Sequence, residues 1–471
     1  MNSRTHVQIL AEFAYNTGAG GSERIANDVN ERILDVIGNS LAGRAESSSE
    51  NDPDRATERI VTSWGGSEAS GVIGSHIRVP AANAALVNGT LAHVLDFDDT
   101  HLPSVLHPSS SVIPAALAVA EEVGATPEAL VSAIAAGIEI CNRLGMASYL
   151  PEEGNSIFFE KGFHATSICG TLGAAVSAGL LYGLNANGIA DAIGVAASMG
   201  AGIIEANRTG GTVKRIHCGW AAHSGIVAAL MAKEGITGPP TVLEGRFGFF
   251  NAYLDGKYDE GALLDDLGSR WELLRTAYKP YPTNHFTHPG IDCALALRAE
   301  GLRAEDVAEI ELGVAAPVIR TIGEPIEEKQ HPRSGYHAKF SGPYTLAAAL
   351  IGGGGLGVYL DDFTDGVWDD PLRLDIAGKV TVVADARATE IFPNAFAAVV
   401  RVKTKGGSML EKRVDASRGS ANSPLSHEEI LTKFRLNASR LLDDVAVDRL
   451  ITLSALKSRS DFRELLRLIQ R

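Results

Sequence analysis

Between about residue 80 and residue 235 the chain is a succession of apolar segments with almost no polar face. PAANAALVNGTLAHVL (80–95) is followed by similar stretches at 112–123, 127–145, 165–183, 188–205 and 217–235, and alanine and glycine dominate all of them. Runs of Val and Thr with a period of two are nearly absent. A helix that is apolar nearly all round has to be buried, so these segments predict the interior of one large helical domain. Pro80 suits a first helical turn, and the small residues are those expected where helices pack closely. Residues 22–43 join the set: Ser22 opens a segment that keeps Ile25, Val29, Ile33, Val36 and Ile37 on one face.

The pattern changes near Trp271. Strand-like alternation appears at 306–314, 377–385 and 395–405, with helical pieces at 288–300 and 341–352 between. From about Ser426 the chain is helical again, with Leu431, Phe434, Leu436 and Leu441 in period. The expected fold is mainly α: an all-helical domain made of 1–271 together with 413–471, and a smaller α+β domain over 272–412. Gly352–Gly355 lacks the Lys-Ser/Thr of a phosphate-binding loop and reads as a flexible loop.

Lys plus Arg number 42 against 57 Asp plus Glu, a net charge of −15. That balance argues against a nucleic-acid partner or an anionic membrane surface. It leaves room for an anionic substrate in a locally basic pocket. Cys141, Cys169, Cys218 and Cys293 form no CxxC pair, so they read as buried free thiols that suit the cytoplasm. The N-terminus shows neither the long apolar run nor the small-residue cleavage site of a signal peptide, and no run of about 20 uninterrupted apolar residues predicts a membrane span.

Four polar clusters interrupt the apolar segments. LDFDDTHLPSVLHP (95–108) holds Asp96, Asp98, Asp99, Thr100, His101 and His107 between two apolar helices. Asp98, Asp99 and Thr100 read first as caps and turn residues; a metal site built on the acidic run is the other reading. KGFHATS (161–167) puts His164 at the start of a helix, either as a structural histidine or as one aimed into a cleft. ANRTGGTVKRIHCGWAAHSG (206–225) carries Arg208, then Lys214, Arg215 and His217 leading into a small-residue helix. Cations at a helix start oppose the macrodipole, so a bound carboxylate there explains them better than a solvated turn. YKPYPTNHFTHPGIDCA (278–294) brings Lys279, His285 and His288 to the domain boundary, where small-molecule sites concentrate.

Read in order, NGTLAHVLDFDDTHLPSVLHPSSSVIPAALA (88–118), GFHATSICGTLGAA (162–175), GGTVKRIHCGWAAHSGIVAALMAKEGITGP (210–239), KPYPTNHFTHPGIDCA (279–294) and KFSGPYTLAAAL (339–350) resemble the successive signatures of the MmgE/PrpD family. Its members include 2-methylcitrate dehydratase, cis-aconitate decarboxylase and iminodisuccinate epimerase. The resemblance implies a large helical domain with a smaller α+β lid domain, a homodimer and no organic cofactor. It also implies a pocket between the domains holding Asp96, Thr100, His107, His164, Lys214 and Tyr344; Lys279, His285 and Arg208, from the basic clusters above, are the further candidates for substrate contact. The decarboxylases of the family carry a histidine close to the position of Asn284; here the histidine is His285, one residue on.

The chemistry this implies is proton transfer at a carbon next to a carboxylate of a small di- or tricarboxylic acid. His107 or His164 would move the proton, and Lys214 would stabilise the enediolate. Loss of water, loss of carbon dioxide and reprotonation on the other face all use that one acid–base set. The expectation is therefore a cofactor-free lyase, a dehydratase or decarboxylase, with a dicarboxylate epimerase as the alternative. Two readings come from other classes. A non-catalytic binding protein on the same fold has no chemical reason to keep His107, His164 and Lys214 together. A metal-dependent hydrolase would use Asp96, Asp98 and His107.

Overall fold

A computed structural model describes residues 4–17, 22–150, 154–206 and 211–470. The fold is mainly α, with a smaller α+β portion. The chain divides into two compact units, Met1–Thr276 with Phe434–Arg471, and Ala277–Lys433.

The larger unit contains α1 (His6–Thr17), α2 (Glu23–Glu46), α3 (Pro53–Trp64), α4 (Ala81–His93), α5 (Ser109–Val123), α6 (Pro127–Ala147), α7 (Ala165–Leu181), α8 (Ala186–Ala197) and α9 (His217–Lys233), and near the C-terminus α12 (Asp444–Leu453) and α13 (Arg459–Ile469). Its centre is α9 packed against α4, α5, α7 and α8, with α6 against α7. These are the alanine- and glycine-rich segments, and their composition has a geometric cause. Where α9 crosses α4, a Cβ on Gly219 would lie 2.1 Å from the Leu86 carbonyl oxygen, so no larger residue fits without parting the helices. Where α6 crosses α7, a Cβ on Gly137 or on Gly173 would lie 2.7 Å from the other's carbonyl oxygen.

Ser22 caps α2 through the Ile25 amide, as its place in the sequence suggests. By length and composition α6 is apolar enough to cross a membrane, but 78% of its apolar window is buried inside the fold. It also carries a fully buried ion pair, Arg143 Nε to Glu139 Oε1 at 2.7 Å, so it is a core helix. Two helices, α1 and α3, lie in stretches too mixed in character to read as helical from periodicity alone. The segment expected to run helically over 188–205 stops at Ala197. Beyond it Gly202, at φ +155°, takes a backbone conformation a helix does not contain, and Ile203 bridges to Phe163.

The smaller unit carries α10 (His288–Ala299), β1 (Val307–Val314), α11 (Gly342–Ile351), β2 (Val380–Ala384), β3 (Ala398–Thr404) and β4 (Met409–Val414). The strand order is β4-β3-β1-β2, with β1 and β2 parallel and the other pairs antiparallel. Ile310 of β1 pairs with Val402 on one side and Val380 on the other. Helix α10 covers β3 and β4, and α11 packs on β2. Three of the strands stand where alternation placed them. β4 (MLEKRV) does not alternate in polarity, and it is one of the two edge strands, where charged residues are at home.

Candidate active site

The first polar cluster becomes a tight buried turn between α4 and α5, and each of its three carboxylates meets a basic side chain. Asp99 Oδ2 accepts from Arg32 Nη1 at 2.9 Å and from Ser109 Oγ at 2.5 Å. Asp98 Oδ2 accepts from His93 Nδ1 and from Ser110 Oγ, each at 2.8 Å. Asp96 Oδ2 lies 3.8 Å from Lys214 Nζ. Asp96 itself sits at φ +56°, a conformation that asparagine and aspartate tolerate better than most residues and that turns the chain sharply after α4. Burial lifts the Asp99 carboxyl to about 6, against the pull of Arg32 and Ser109.

The same turn orients His107. Its Nδ1 lies 2.6 Å from the Asp99 carbonyl oxygen and 3.2 Å from Thr100 Oγ1. A carbonyl only accepts, so Nδ1 carries a proton and Nε2 is the nitrogen left to exchange one. The His107 amide in turn donates to Thr166 Oγ1 in the first turn of α7, at 3.2 Å. That contact ties the approach to α5 to the start of α7.

His164 is the N-cap residue of α7, and its Nδ1 lies 2.9 Å from Nδ1 of His217, the first residue of α9. Lys214 is buried in the short 3-10 turn that leads into α9. The starts of α5, α7 and α9 therefore meet, and each brings the positive end of its peptide dipoles. His93, the last residue of α4, stands between them, its ring 5.5 Å from that of His107 and 6.0 Å from that of His164. Burial, then His217 and Lys214, hold His164 well below the ordinary histidine range. Burial first, with His93 and Lys214, brings His217 down to about 4. His93 goes the other way: burial opposes its charge, but the Asp98 carboxylate prevails and holds it well above that range. The result is a buried cluster that joins the lowered imidazoles of His164 and His217 to the Lys214 side chain and three helix N-termini, all suited to carboxylates and to a proton in transit.

Asp96, Thr100, His107, His164 and Lys214 are thus brought together in the larger unit. Arg208 lies outside the described residues. Lys279, His285 and Tyr344 belong to the smaller unit. There the Tyr344 hydroxyl donates to the Asp362 carbonyl at 2.6 Å, and burial pushes its phenol up. His285 lies with Nε2 3.4 Å from Ser417 Oγ and its ring 4.3 Å from that of His288. Lys279 is fully buried. His101 is a structural residue of the first cluster, with Nδ1 2.7 Å from Ser104 Oγ and Nε2 3.2 Å from Glu272 Oε2. Sequence reasoning missed His93, which closes an apolar helix and looks like an ordinary C-terminal histidine. A signal was present: an aspartate five residues on, in a segment too apolar to leave either group in water.

One group among the described residues has donors close enough to suggest a metal: His93, Asp98 and Cys218, with donor atoms within 4.8 Å of one another. The direct hydrogen bond from His93 Nδ1 to Asp98 Oδ2, 2.8 Å long, does not suit that use of those two atoms. Two ligands of one tetrahedral zinc ion stand about 3.3 Å apart, given bonds of about 2.0–2.2 Å. The turn thus reads as three ion pairs, and Asp98 is the partner of an imidazole.

Residues 8–261 match the MmgE/PrpD N-terminal domain, and residues 281–457 match the MmgE/PrpD C-terminal domain. The chain is 32% identical over 381 residues to cis-aconitate decarboxylase of Homo sapiens, covering 80% of this chain and 76% of that protein. It is 29% identical to the cis-aconitate decarboxylase of Mus musculus, covering 80% and 75%. A cis-aconitate decarboxylase of Aspergillus terreus is 26% identical over 483 residues, covering 97% of this chain and 96% of its own length.

Proposed function

The chain belongs to the MmgE/PrpD family, and from that premise we propose that it is a cofactor-free lyase that decarboxylates a small unsaturated tricarboxylic acid of the cis-aconitate type. The observation that carries the reading is the meeting of His107 and His164 with the buried Lys214 at three helix starts. Lys214 and the helix-end amides hold the substrate carboxylates. The carbon–carbon bond to one carboxylate breaks, carbon dioxide leaves, and the electron pair stays on the carbon skeleton as an enediolate conjugated with a neighbouring carboxylate. Positive charge from Lys214 stabilises that anion. His107, as an imidazolium with Nδ1–H held by the Asp99 carbonyl, gives its Nε2 proton to carbon and takes another from solvent.

The experiment is to incubate the enzyme with a panel of di- and tricarboxylates in deuterated water and to follow deuterium uptake and carbon dioxide by NMR. Carbon dioxide release with one deuterium per product is the expected result. Deuterium uptake with loss of water would make the enzyme a dehydratase. Exchange without either would make it an epimerase. Turnover should also survive exhaustive chelation; loss with EDTA, restored by one divalent ion, would overturn the cofactor-free part and return His93, Asp98 and Cys218 to the role of ligands.

Two further elements belong to the proposal. The four cysteines are buried and unpaired, which suits a reducing cytoplasm. A homodimer through the larger unit has support in its exposed aromatic surface: Trp220, 41% exposed, stacks on His223, and Trp64, 53% exposed, lies 6.0 Å from that same ring. Sedimentation as a monomer at micromolar concentration would remove it.

A further inference from the structure

We propose that His93 is a positioning residue of this site: an imidazolium fixed by the buried Asp98 carboxylate, it places a permanent positive charge behind His107 and His164 and so sets the form in which they handle the proton. The inference rests on the function proposed above for the identity of the reaction, and on geometry alone for the charge.

Three observations carry it. Asp98 is fully buried, and a buried carboxylate needs a cation and hydrogen bonds to remain charged. Its neighbours in the turn have theirs, Asp96 in Lys214 and Asp99 in Arg32. Asp98 has the Nδ1–H of His93 and the Ser110 hydroxyl, each at 2.8 Å. The second observation is position. The His93 ring is itself 1% exposed and lies within 6.0 Å of the two rings proposed to move protons. The third is the uncommitted end of the ring. His93 Nε2 is buried and makes no well-formed hydrogen bond among the described residues, with only the Cys218 thiol beside the ring, a weak partner that leaves an N–H free to serve an anion that comes and goes.

The groups facing this ring are Asp98 from the turn, Cys218 from α9, His107 from the approach to α5 and His164 at the start of α7, with Lys214 and His217 next in line. Asp98 is the carboxylate among them and the main group that favours the charge, with Cys218 second. A cation there repels protons from its neighbours, and His93 is among the causes that depress both His164 and His217. One turn of sequence thereby separates a charged imidazole from neutral ones in the same pocket.

The test uses His93→Asn, whose amide N–H takes the place of Nδ1–H and leaves Asp98 a donor. A purely structural role would survive that change. The expected result is a folded protein with kcat lowered roughly 10–100-fold and KM within about threefold. The acid limb of its pH–rate profile should also move. Removing a cation about 6 Å from His164 lets it take up a proton more readily, so the limb shifts to higher pH by roughly one to two units at an effective dielectric near 20. An unchanged kcat or an unmoved limb would overturn the proposal. A second measurement needs no variant and no substrate. With the histidines labelled with nitrogen-15, the wild-type protein should keep one imidazolium signal at pH 8, lost in His93→Asn and neutral in Asp98→Asn. Absence of any imidazolium at that pH overturns the proposal even if the variants do not fold. If the wild type leaves every acid of the panel unchanged, the proposed function fails, and the charge on His93 stands or falls by this spectrum alone.

Discussion

Replacing His107 with Gln should lower kcat roughly 10²–10⁴-fold and leave KM within a few-fold of wild type, as for loss of a general acid–base group. The expectation follows from how the ring is held. The Asp99 carbonyl, 2.6 Å from Nδ1, fixes the tautomer, and Asp99 is itself pinned by Arg32 and Ser109. Proton traffic is therefore confined to Nε2, and a glutamine amide at that place neither takes up nor gives a proton near neutral pH. His164→Gln should act in the same direction, because its ring is the second imidazole where the helix starts meet. The pH dependence has a definite sign. His164 is held well below the ordinary histidine range by burial, His217 and Lys214. It stays neutral as pH falls through 6.5, and activity that needs it neutral is lost only at distinctly lower pH. Steady-state kinetics between pH 4 and pH 9 on the true substrate check both statements. Near-normal kcat in both variants would return these histidines to a structural role.

How far the sequence disclosed this site depends on the kind of information each residue carries. The helices were legible because burial leaves a compositional trace. Segments 112–123, 127–145 and 217–235 are apolar all round, and they became α5, α6 and α9 to within a few residues. The strands β1, β2 and β3 were legible through alternation, whereas β4 was hidden by its polar edge-strand character. Of the site, His107, His164 and Lys214 stood out because each is a polar group placed where an apolar helix begins. The pairings did not stand out. Nothing in DFDD says that its first carboxylate faces a lysine 118 positions away, its second a histidine behind it and its third an arginine from α2. Those partners are chosen by tertiary packing at the glycine crossings, which bring α4 and α9 close enough for Asp96 and Lys214 to meet. Read along the chain, the run looked like caps or ligands; in three dimensions it is charge compensation, and the pairing gives His93 its significance.

Lys214→Met should raise KM and lower kcat together, costing about 3–5 kcal/mol in kcat/KM, or some 10²–10⁴-fold. Two physical effects add here. The lysine is only 6% exposed, so its attraction for a carboxylate is weakly screened, and the helix starts around it already exclude most competing solvent. If it clamps a substrate carboxylate, its charge serves the ground state, which appears in KM. If the same ammonium group also faces the developing enediolate, it serves the transition state more, which appears in kcat. Methionine keeps the length and apolar bulk of the stem, so packing in the 3-10 turn is disturbed little. It does leave Asp96 facing an apolar group across the 3.8 Å gap the ammonium had spanned. Part of the loss could then be structural, and Asp96→Asn in the Lys214→Met background separates the two. If Asp96→Asn restores folding stability but not turnover, the lysine charge acts on the substrate. Binding of an unreactive dicarboxylate, measured by calorimetry, completes the test. Should Lys214→Met abolish turnover while that ligand binds as well as before, and should His107→Gln and His164→Gln keep near-normal kcat, the lysine itself would be the proton carrier. The two imidazoles would then be no more than the lining of its pocket.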